Sequence, residues 1–214
     1  KLYDVIRLDH FRAFDTYWKI PASCETAIDG AWIEAPGYAF LDLLFSEHPE
    51  IQDAIIAEDL GDLRPEVLVL RDHYRFPGMS VVEFTFNDDV FMGKREWSAE
   101  NLVVYLGTHD NDTMAGYLHE MDWEQKESWK RVLSERGYIE ESMVDNLIRF
   151  ALDKPSILTV LTVQDILGLG SECRINVPGN VDEFNWTFKL ADFTALKAKM
   201  PAVKSWVLAS KRVK

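Results

Sequence analysis

An α/β fold, in which a parallel sheet is covered by helices, is what this sequence predicts, and three observations carry that prediction. Short and nearly continuous apolar runs recur along the chain: Val5 to Leu8, Ala54 to Ala57, Ser80 to Phe86, Leu102 to Leu106 and Ile157 to Val163. Helix-like segments separate them, and strands alternating with helices build parallel sheets buried on both faces. Three of the runs stop at acid, at Asp9, Glu58 and Asp110. Carboxylates at the ends of buried parallel strands form the rim where such folds place their sites.

Taken in order, each run reads as a strand because Val, Ile, Leu and Phe dominate it and it is too short for a helix. The gaps after the first and fourth runs are long, roughly 45 and 50 residues, leaving room for loops on one side of the sheet. Tyr38 to Phe45 follows Pro36-Gly37, and Pro65 to Arg71 carries its proline where a helix tolerates it, so both are expected to be helical. Trp123 to Arg136 has a mixed-charge amphipathic pattern, with Trp123, Trp129, Val132 and Leu133 assigned to one side and Gly137 as its stop. Ser142 to Leu152 and Leu196 to Ala209 are expected as further helices, the last interrupted or capped by Pro201. No internal repeat is visible. Periodicity leaves a doubly wound sheet and part of a (β/α)8 barrel both open, but no Gly-rich dinucleotide fingerprint follows a strand.

Composition narrows the function classes. The chain has 214 residues, 47% of them hydrophobic and 12% aromatic, enough for a sizeable core and without low-complexity segments. A formal charge of −13 argues against a phosphate-tracking groove, so no nucleic-acid partner is expected. Cys24 and Cys173 lie far apart without CxxC spacing and read as reduced thiols. No apolar run reaches the roughly 18 residues of a membrane span, and Lys1-Leu2-Tyr3-Asp4 is no signal peptide; a cytoplasmic protein without a membrane partner is expected.

The strand ends carry the chemistry. Arg7 and Asp9 are two residues apart on a strand and share a face, so the guanidinium favours an ionised Asp9, as a nucleophile requires; a plain buried Arg–Asp pair is the alternative. Glu58 and Asp59 stand side by side, and mutual repulsion is expected to keep one of them protonated, as suits a general acid; a helix cap is the alternative. Gly107-Thr108-His109-Asp110-Asn111-Asp112-Thr113 is dense in polar groups and reads either as a site or as an Asx-type turn. A zinc or iron site built from His10, His109, Asp110 and Glu58 is the chemical rival, although such sites ordinarily use more histidines. An ionised carboxylate, a protonated one and a third with polar neighbours meet the needs of a retaining glycosidase-type mechanism. Tyr17, Trp18, Trp32 and Trp186 offer flat faces to sugar rings, with burial in a core as the alternative for each.

The residues Ile6-Arg7-Leu8-Asp9-His10-Phe11-Arg12-Ala13-Phe14, then Tyr17-Trp18, Ile20-Pro21-Ala22, Ala57-Glu58-Asp59-Leu60-Gly61, Phe76-Pro77-Gly78-Met79, Gly107 to Thr113, Gln164-Asp165 with Leu167-Gly168, Asn176-Val177-Pro178-Gly179 and Asn185-Trp186 resemble, in order, motifs of the 4-α-glucanotransferases, glycoside hydrolase family 77 of the α-amylase clan. This resemblance implies the C-terminal portion, strands 4 to 8, of a TIM-type (β/α)8 barrel, with residues 1–214 as one domain of it. It also implies transfer of α-1,4-glucan segments between donor and acceptor sugars without metal or organic cofactor, in the cytoplasm or, in a plant, the plastid. Asp9 matches the family nucleophile, Glu58 the acid/base and Asp110 the transition-state stabiliser. Arg7, His10, His109 and Asp59 are implied as sugar contacts, and Asn176, Pro178 and Gly179 as part of a loop lining the glucan groove. Ala13 stands where the family usually has Gly, Asn180 where Thr is common, and Asn185 to Lys189 departs from the usual Asn-Trp-x-Trp-Arg. Members of the family are much longer, with barrel strands 1 to 3 and an inserted subdomain before the Arg-x-Asp-His motif. The N-terminal part of the same enzyme is therefore an expected partner, and an inert fragment that pairs its sheet edges with a second copy remains the alternative.

Overall fold

In the computed structural model, which describes residues 2–91 and 101–212, the first apolar run forms strand β1 (Ile6–Leu8) and leads into a 3-10 turn at Phe11–Phe14. A hairpin follows within the first long gap: β2 (Thr16–Lys19) and β3 (Ala31–Glu34) pair antiparallel, with Trp18 opposite Trp32. Their rings meet edge to face at 5.2 Å, a cross-strand pair of the kind that stabilises an otherwise marginal two-stranded hairpin. The expected helices appear as α1 (Gly37–Glu47) and α2 (Pro65–His73), on either side of β4 (Ile55–Ala57). At Gly37 a Cβ would run into the Phe14 carbonyl and the Leu70 side chain, so only glycine lets α1 begin this close to the 3-10 turn. β1 and β4 are parallel, in the register Ile6 to Ile55 and Leu8 to Ala57.

Contact between residues divides the chain into two compact units, Lys1–Met79 with Asn101–Val103 and Ser80–Glu100 with Val104–Lys214. Phe11, Leu41, Ile55, Ala57, Val67, Leu70, Tyr74 and Phe76 make the core of the first.

Strands β5 (Gly78–Val81), β6 (Leu102–Tyr105) and β7 (Leu158–Val160) form a sheet in the order β5-β6-β7. The helices of the second unit are α3 (Val82–Phe91), α4 (Met114–Glu120), α5 (Trp123–Glu135), α6 (Met143–Asp153), α7 (Val163–Leu167) and α8 (Thr194–Ala209), with Pro201 inside the last. Phe86, Val104, Leu106, Met114, Trp129, Leu133, Leu147, Ile148 and Phe150 lie in its core. α5 ends as its glycine requires: Gly137 takes φ 86° and the next N–H, that of Tyr138, donates to the Leu133 carbonyl at 2.9 Å.

Two expectations need correction. The run Ser80 to Phe86 is strand only to Val81; from Val82 it is α3, because Val82 and Phe86 are fully buried while Phe84 is exposed, the i, i+4 pattern of a helix face and not the i, i+2 pattern of a strand. Trp123 does not share the apolar side of α5: six residues from Trp129 is about two-thirds of a turn out of phase, and Trp123 is exposed while Trp129, Val132 and Leu133 are buried. Among the described residues no helix is long and apolar enough to cross a membrane.

Candidate active site

In the first unit, the parallel register of β1 and β4 brings the residues after Leu8 and Ala57 to neighbouring strand ends, and those residues are Asp9 and Glu58. The Glu58 N–H donates to Leu8 O at 2.9 Å and the Phe11 N–H to Glu58 O at 3.0 Å, so the ladder continues through the site. His10 turns the chain there in a left-handed conformation, φ 49° and ψ 50°, which costs a non-glycine residue about 1–3 kcal/mol. That conformation aims the His10 N–H at Glu58 Oε2, 2.7 Å away, while the Leu60 N–H reaches Oε1 at 3.0 Å. Both oxygens of Glu58 are thus fixed by main chain. Asp9, largely exposed, is paired with Arg7 Nη2 at 2.7 Å, and Arg7 Nε donates to the Met79 sulfur at 3.3 Å. The shared face of Arg7 and Asp9 follows from their i, i+2 spacing.

Asp59, the neighbour of Glu58 in sequence, is engaged by Arg71 and Met79. Its side chain is only 5% exposed, forms a short ion pair with Arg71 and accepts the Met79 N–H at 2.7 Å. The charge expected to bear on Glu58 is matched by Arg71, a partner twelve residues away that periodicity gave no reason to select.

In the second unit, β6 runs out into the loop Gly107 to Thr113. Asn111 Oδ1 accepts from both the N–H and the hydroxyl of Thr108 at 2.8 Å, three residues back, and the Asp110 N–H donates to Thr108 Oγ1 at 3.3 Å, so the turn is built on the Thr108 hydroxyl and is not the Asx-type turn, whose oxygen would take the N–H two residues on. Thr113 caps α4 by accepting the Gly116 N–H at 3.1 Å. Asp165 is 2% exposed and takes the Met114 N–H at 2.7 Å and the Thr162 hydroxyl at 2.8 Å; Asp112 takes the Ser171 hydroxyl at 2.7 Å. Burial pushes the Asp165 carboxyl above the usual carboxylate range. Glu83, hidden inside an apolar run, is pushed by burial up to about 7, with Asp112 and Asp165 adding to the rise and Arg174 and an Asn111 hydrogen bond opposing it.

Above this network stands Asp110, half-exposed. Its Oδ1 accepts Asn176 Nδ2 at 2.6 Å, its Oδ2 lies 3.4 Å from His109 Nε2, and its carbonyl accepts Arg174 Nη2 at 2.6 Å. The His109 ring lies 5.2 Å from that of Trp186, which is itself left-handed at φ 65° and largely exposed. The Asn176 N–H returns to His109 O at 3.1 Å, Asn185 Oδ1 accepts the Val177 N–H at 3.0 Å, and Gly179 takes φ 81°, leaving Pro178 and Gly179 at the surface. Tyr17, Trp18 and Trp32 are likewise exposed and not core.

The structure therefore groups Arg7, Asp9, His10, Glu58 and Asp59 in one unit, and His109, Asp110, Asn176, Pro178 and Gly179 in the other. Among the described residues no three His, Cys, Asp or Glu side chains converge to hold a metal ion. The sequence reading missed Arg71, Glu83 and Arg174; only for Arg174 was a signal present, an arginine two residues before the Asn-Val-Pro-Gly stretch.

The sequence profile of the 4-alpha-glucanotransferase family matches residues 1–195. The chain belongs to this family. The 4-alpha-glucanotransferase of Thermus thermophilus is 39% identical over 198 residues, 89% of this chain and 39% of that protein. That of a Synechocystis species is 40% identical over 190 residues, 87% of this chain and 36% of that protein. The amylomaltase of Streptococcus agalactiae, solved in complex with acarbose, superposes with a TM-score of 0.88 at 28% identity, over 99% of this chain and 42% of that one. The chain thus spans about two-fifths of the length of the relatives it matches. The departures at Ala13, Asn180 and Asn185 to Lys189 sit within a family match that covers them all.

Proposed function

We propose that this chain supplies the catalytic carboxylates of a retaining 4-α-glucanotransferase, a disproportionating enzyme, as the C-terminal portion, strands 4 to 8, of a (β/α)8 barrel whose remainder lies outside this sequence. Family membership supports the reading, and one observation carries it: Asp9 and Glu58 end adjacent parallel strands, the first paired with Arg7 and the second fixed by two main-chain N–H groups.

In this mechanism an Asp9 oxygen attacks the anomeric carbon of an α-1,4-glucan. The glycosidic C–O bond breaks, its electron pair passes to the leaving oxygen, and Glu58 delivers a proton there. The acceptor hydroxyl then attacks the Asp9 glycosyl ester, Glu58 takes the hydroxyl proton, and Asp9 is released; two inversions at one carbon give net retention. Arg7 aims Asp9 through their 2.7 Å ion pair. Asp110 and His109 bind hydroxyls of the reacting sugar, His10 contributes from the first strand end, and Asn176, Pro178 and Gly179 border the groove. Asp59, already engaged by Arg71, supports the second strand end in preference to touching sugar. Donor and acceptor α-1,4-glucans are the partners, no metal or organic cofactor takes part, and the setting is cytoplasmic.

The test is Asp9→Asn in the complete enzyme. Maltotriose disproportionation is expected to vanish with the circular dichroism spectrum unchanged; undiminished glucose release would overturn the assignment. A second reading, that the chain alone is inert, is favoured by its spanning about two-fifths of its relatives. The isolated chain should release no glucose from maltotriose, and an active monomer in sedimentation would refute it.

A further inference from the structure

We propose that Arg174 is the positioning residue that sets Asp110, by tying the loop after β6 to the segment that carries Asn176; the proposal rests on the reading of Asp110 as a group that binds the reacting sugar. A half-exposed aspartate on a surface loop has several rotamers and a mobile main chain, neither of which suits a group that must meet a distorted sugar within a few tenths of an ångström. Here both freedoms are removed from one origin.

The Arg174 guanidinium donates through Nη2 to the carbonyl of Asp110 at 2.6 Å and through Nε to the carbonyl of Asn176 at 2.8 Å. Those bonds clamp two main chains side by side. Asn176 then returns its side-chain Nδ2 to Asp110 Oδ1 at 2.6 Å and its own N–H to His109 O at 3.1 Å. The clamp therefore fixes the main chain of Asp110 directly and its carboxylate through Asn176. A planar fork holds its two donors at fixed angles to the two carbonyls; a lysine ammonium on the same stem has rotatable donors on one nitrogen and no such fork.

Arg174 is in turn held from its own side. The Trp186 N–H donates to the carbonyl of Ile175, the residue after Arg174, at 2.7 Å, and Trp186 packs its ring near His109. Glu83, on α3, feels the Arg174 charge. Removing the fork would leave the Asp110 carboxylate in place on average but free to swing, which weakens binding of the transition state more than binding of the ground-state glucan.

The experiment uses the complete enzyme with maltotriose as substrate and compares Arg174→Gln, Arg174→Lys, Asp110→Asn and the double variant Arg174→Gln with Asp110→Asn. If Arg174 acts through Asp110, Arg174→Gln lowers kcat about a hundredfold with KM within about twofold. Arg174→Lys recovers part of that loss, and the double variant is no slower than Asp110→Asn alone. Losses that multiply in the double variant, or a kcat unchanged in Arg174→Gln, overturn the proposal. Should Arg174→Gln fail to fold, Arg174→Lys carries the same comparison with Asp110→Asn. An Asp110→Asn variant of native activity would instead overturn the underlying reading of Asp110, and this inference with it.

Discussion

Glu58 in the first unit and Asp110 in the second are held by different means. Glu58 is fixed by main chain, through the N–H groups of His10 and Leu60 and the continuing ladder between β1 and β4. Asp110 is fixed by side chains, those of Asn176 and, through its carbonyl, Arg174. A main-chain donor survives every substitution except proline, whereas a side-chain donor is lost in one. The surroundings of Glu58 should therefore tolerate change, and Asp110 should respond to change many residues away.

The largest expected effect tests the first half of that contrast. Glu58→Gln in the complete enzyme should slow maltotriose disproportionation by roughly 10²–10⁴-fold, the share a positioned acid/base contributes. With an α-glycosyl fluoride donor, whose leaving group needs no proton, the first step should be spared; an equal loss with both donors would contradict the acid role. Leu60→Ala keeps the N–H that Glu58 uses and should change the rate by no more than about 0.5 kcal/mol in barrier terms.

Next in size is Arg71→Met. It strands the Asp59 carboxylate, 5% exposed, with the Met79 N–H as its remaining partner among the described residues. Breaking a buried pair by removing one partner costs about 3–5 kcal/mol, so the denaturation midpoint in guanidinium should drop sharply. A midpoint near native would mean that Asp59 reaches solvent or another cation.

Thr113→Ala is the smaller counterpart in the second unit. It removes the cap of α4, where Thr113 accepts the Gly116 N–H, and caps of this kind are worth about 1 kcal/mol. Because the same residue closes the Asp110 loop, stability and kcat should fall together. A stability loss with kcat intact would separate the loop's anchorage from its function.

How far these features were legible in the sequence follows the same division. Strand ends are marked by the abrupt change from apolar residues to acid, so the places of Asp9 and Glu58 are legible from pattern alone and the Arg7–Asp9 pair from strand period, whereas Asp110 lies in a loop five residues beyond the end of β6. The hairpin of β2 and β3 was hidden because Tyr17, Trp18 and Trp32 are exposed, and a ribbon without a buried face has no apolar run to betray it. The run Ser80 to Phe86 concealed a strand-to-helix change because apolar residues at both i+2 and i+4 fit either period. Arg71 and Arg174 were missed for a different reason: a long-range side-chain clamp is specified by three-dimensional proximity, and no spacing rule links Arg174 to Asp110, 64 residues earlier.

The smallest effect concerns Glu83, the acid lying inside that ambiguous run. Burial raises its carboxyl from the ordinary range to about 7, helped by Asp112 and Asp165 and opposed by Arg174 and the Asn111 hydrogen bond. In the unfolded chain the same carboxyl loses its proton near 4.5. Between these values the native state binds more protons than the unfolded one, so this group's contribution to stability is complete below pH 4.5 and is lost as pH rises through about 7. Asp165, raised by burial, acts in the same sense. Glu83→Gln supplies a neutral side chain of the same shape that needs no proton. It should leave the unfolding midpoint at pH 4 unchanged and raise it at pH 8, by less than about 1 kcal/mol because solvent reaches this half-buried group. Since Arg174 is tied to Asp110 and Asn176 through their carbonyls, the variant should keep the native ratio of kcat to KM at pH 6; a midpoint that moved equally at both pH values would show that the carboxyl is held by packing and that its charge is of no account.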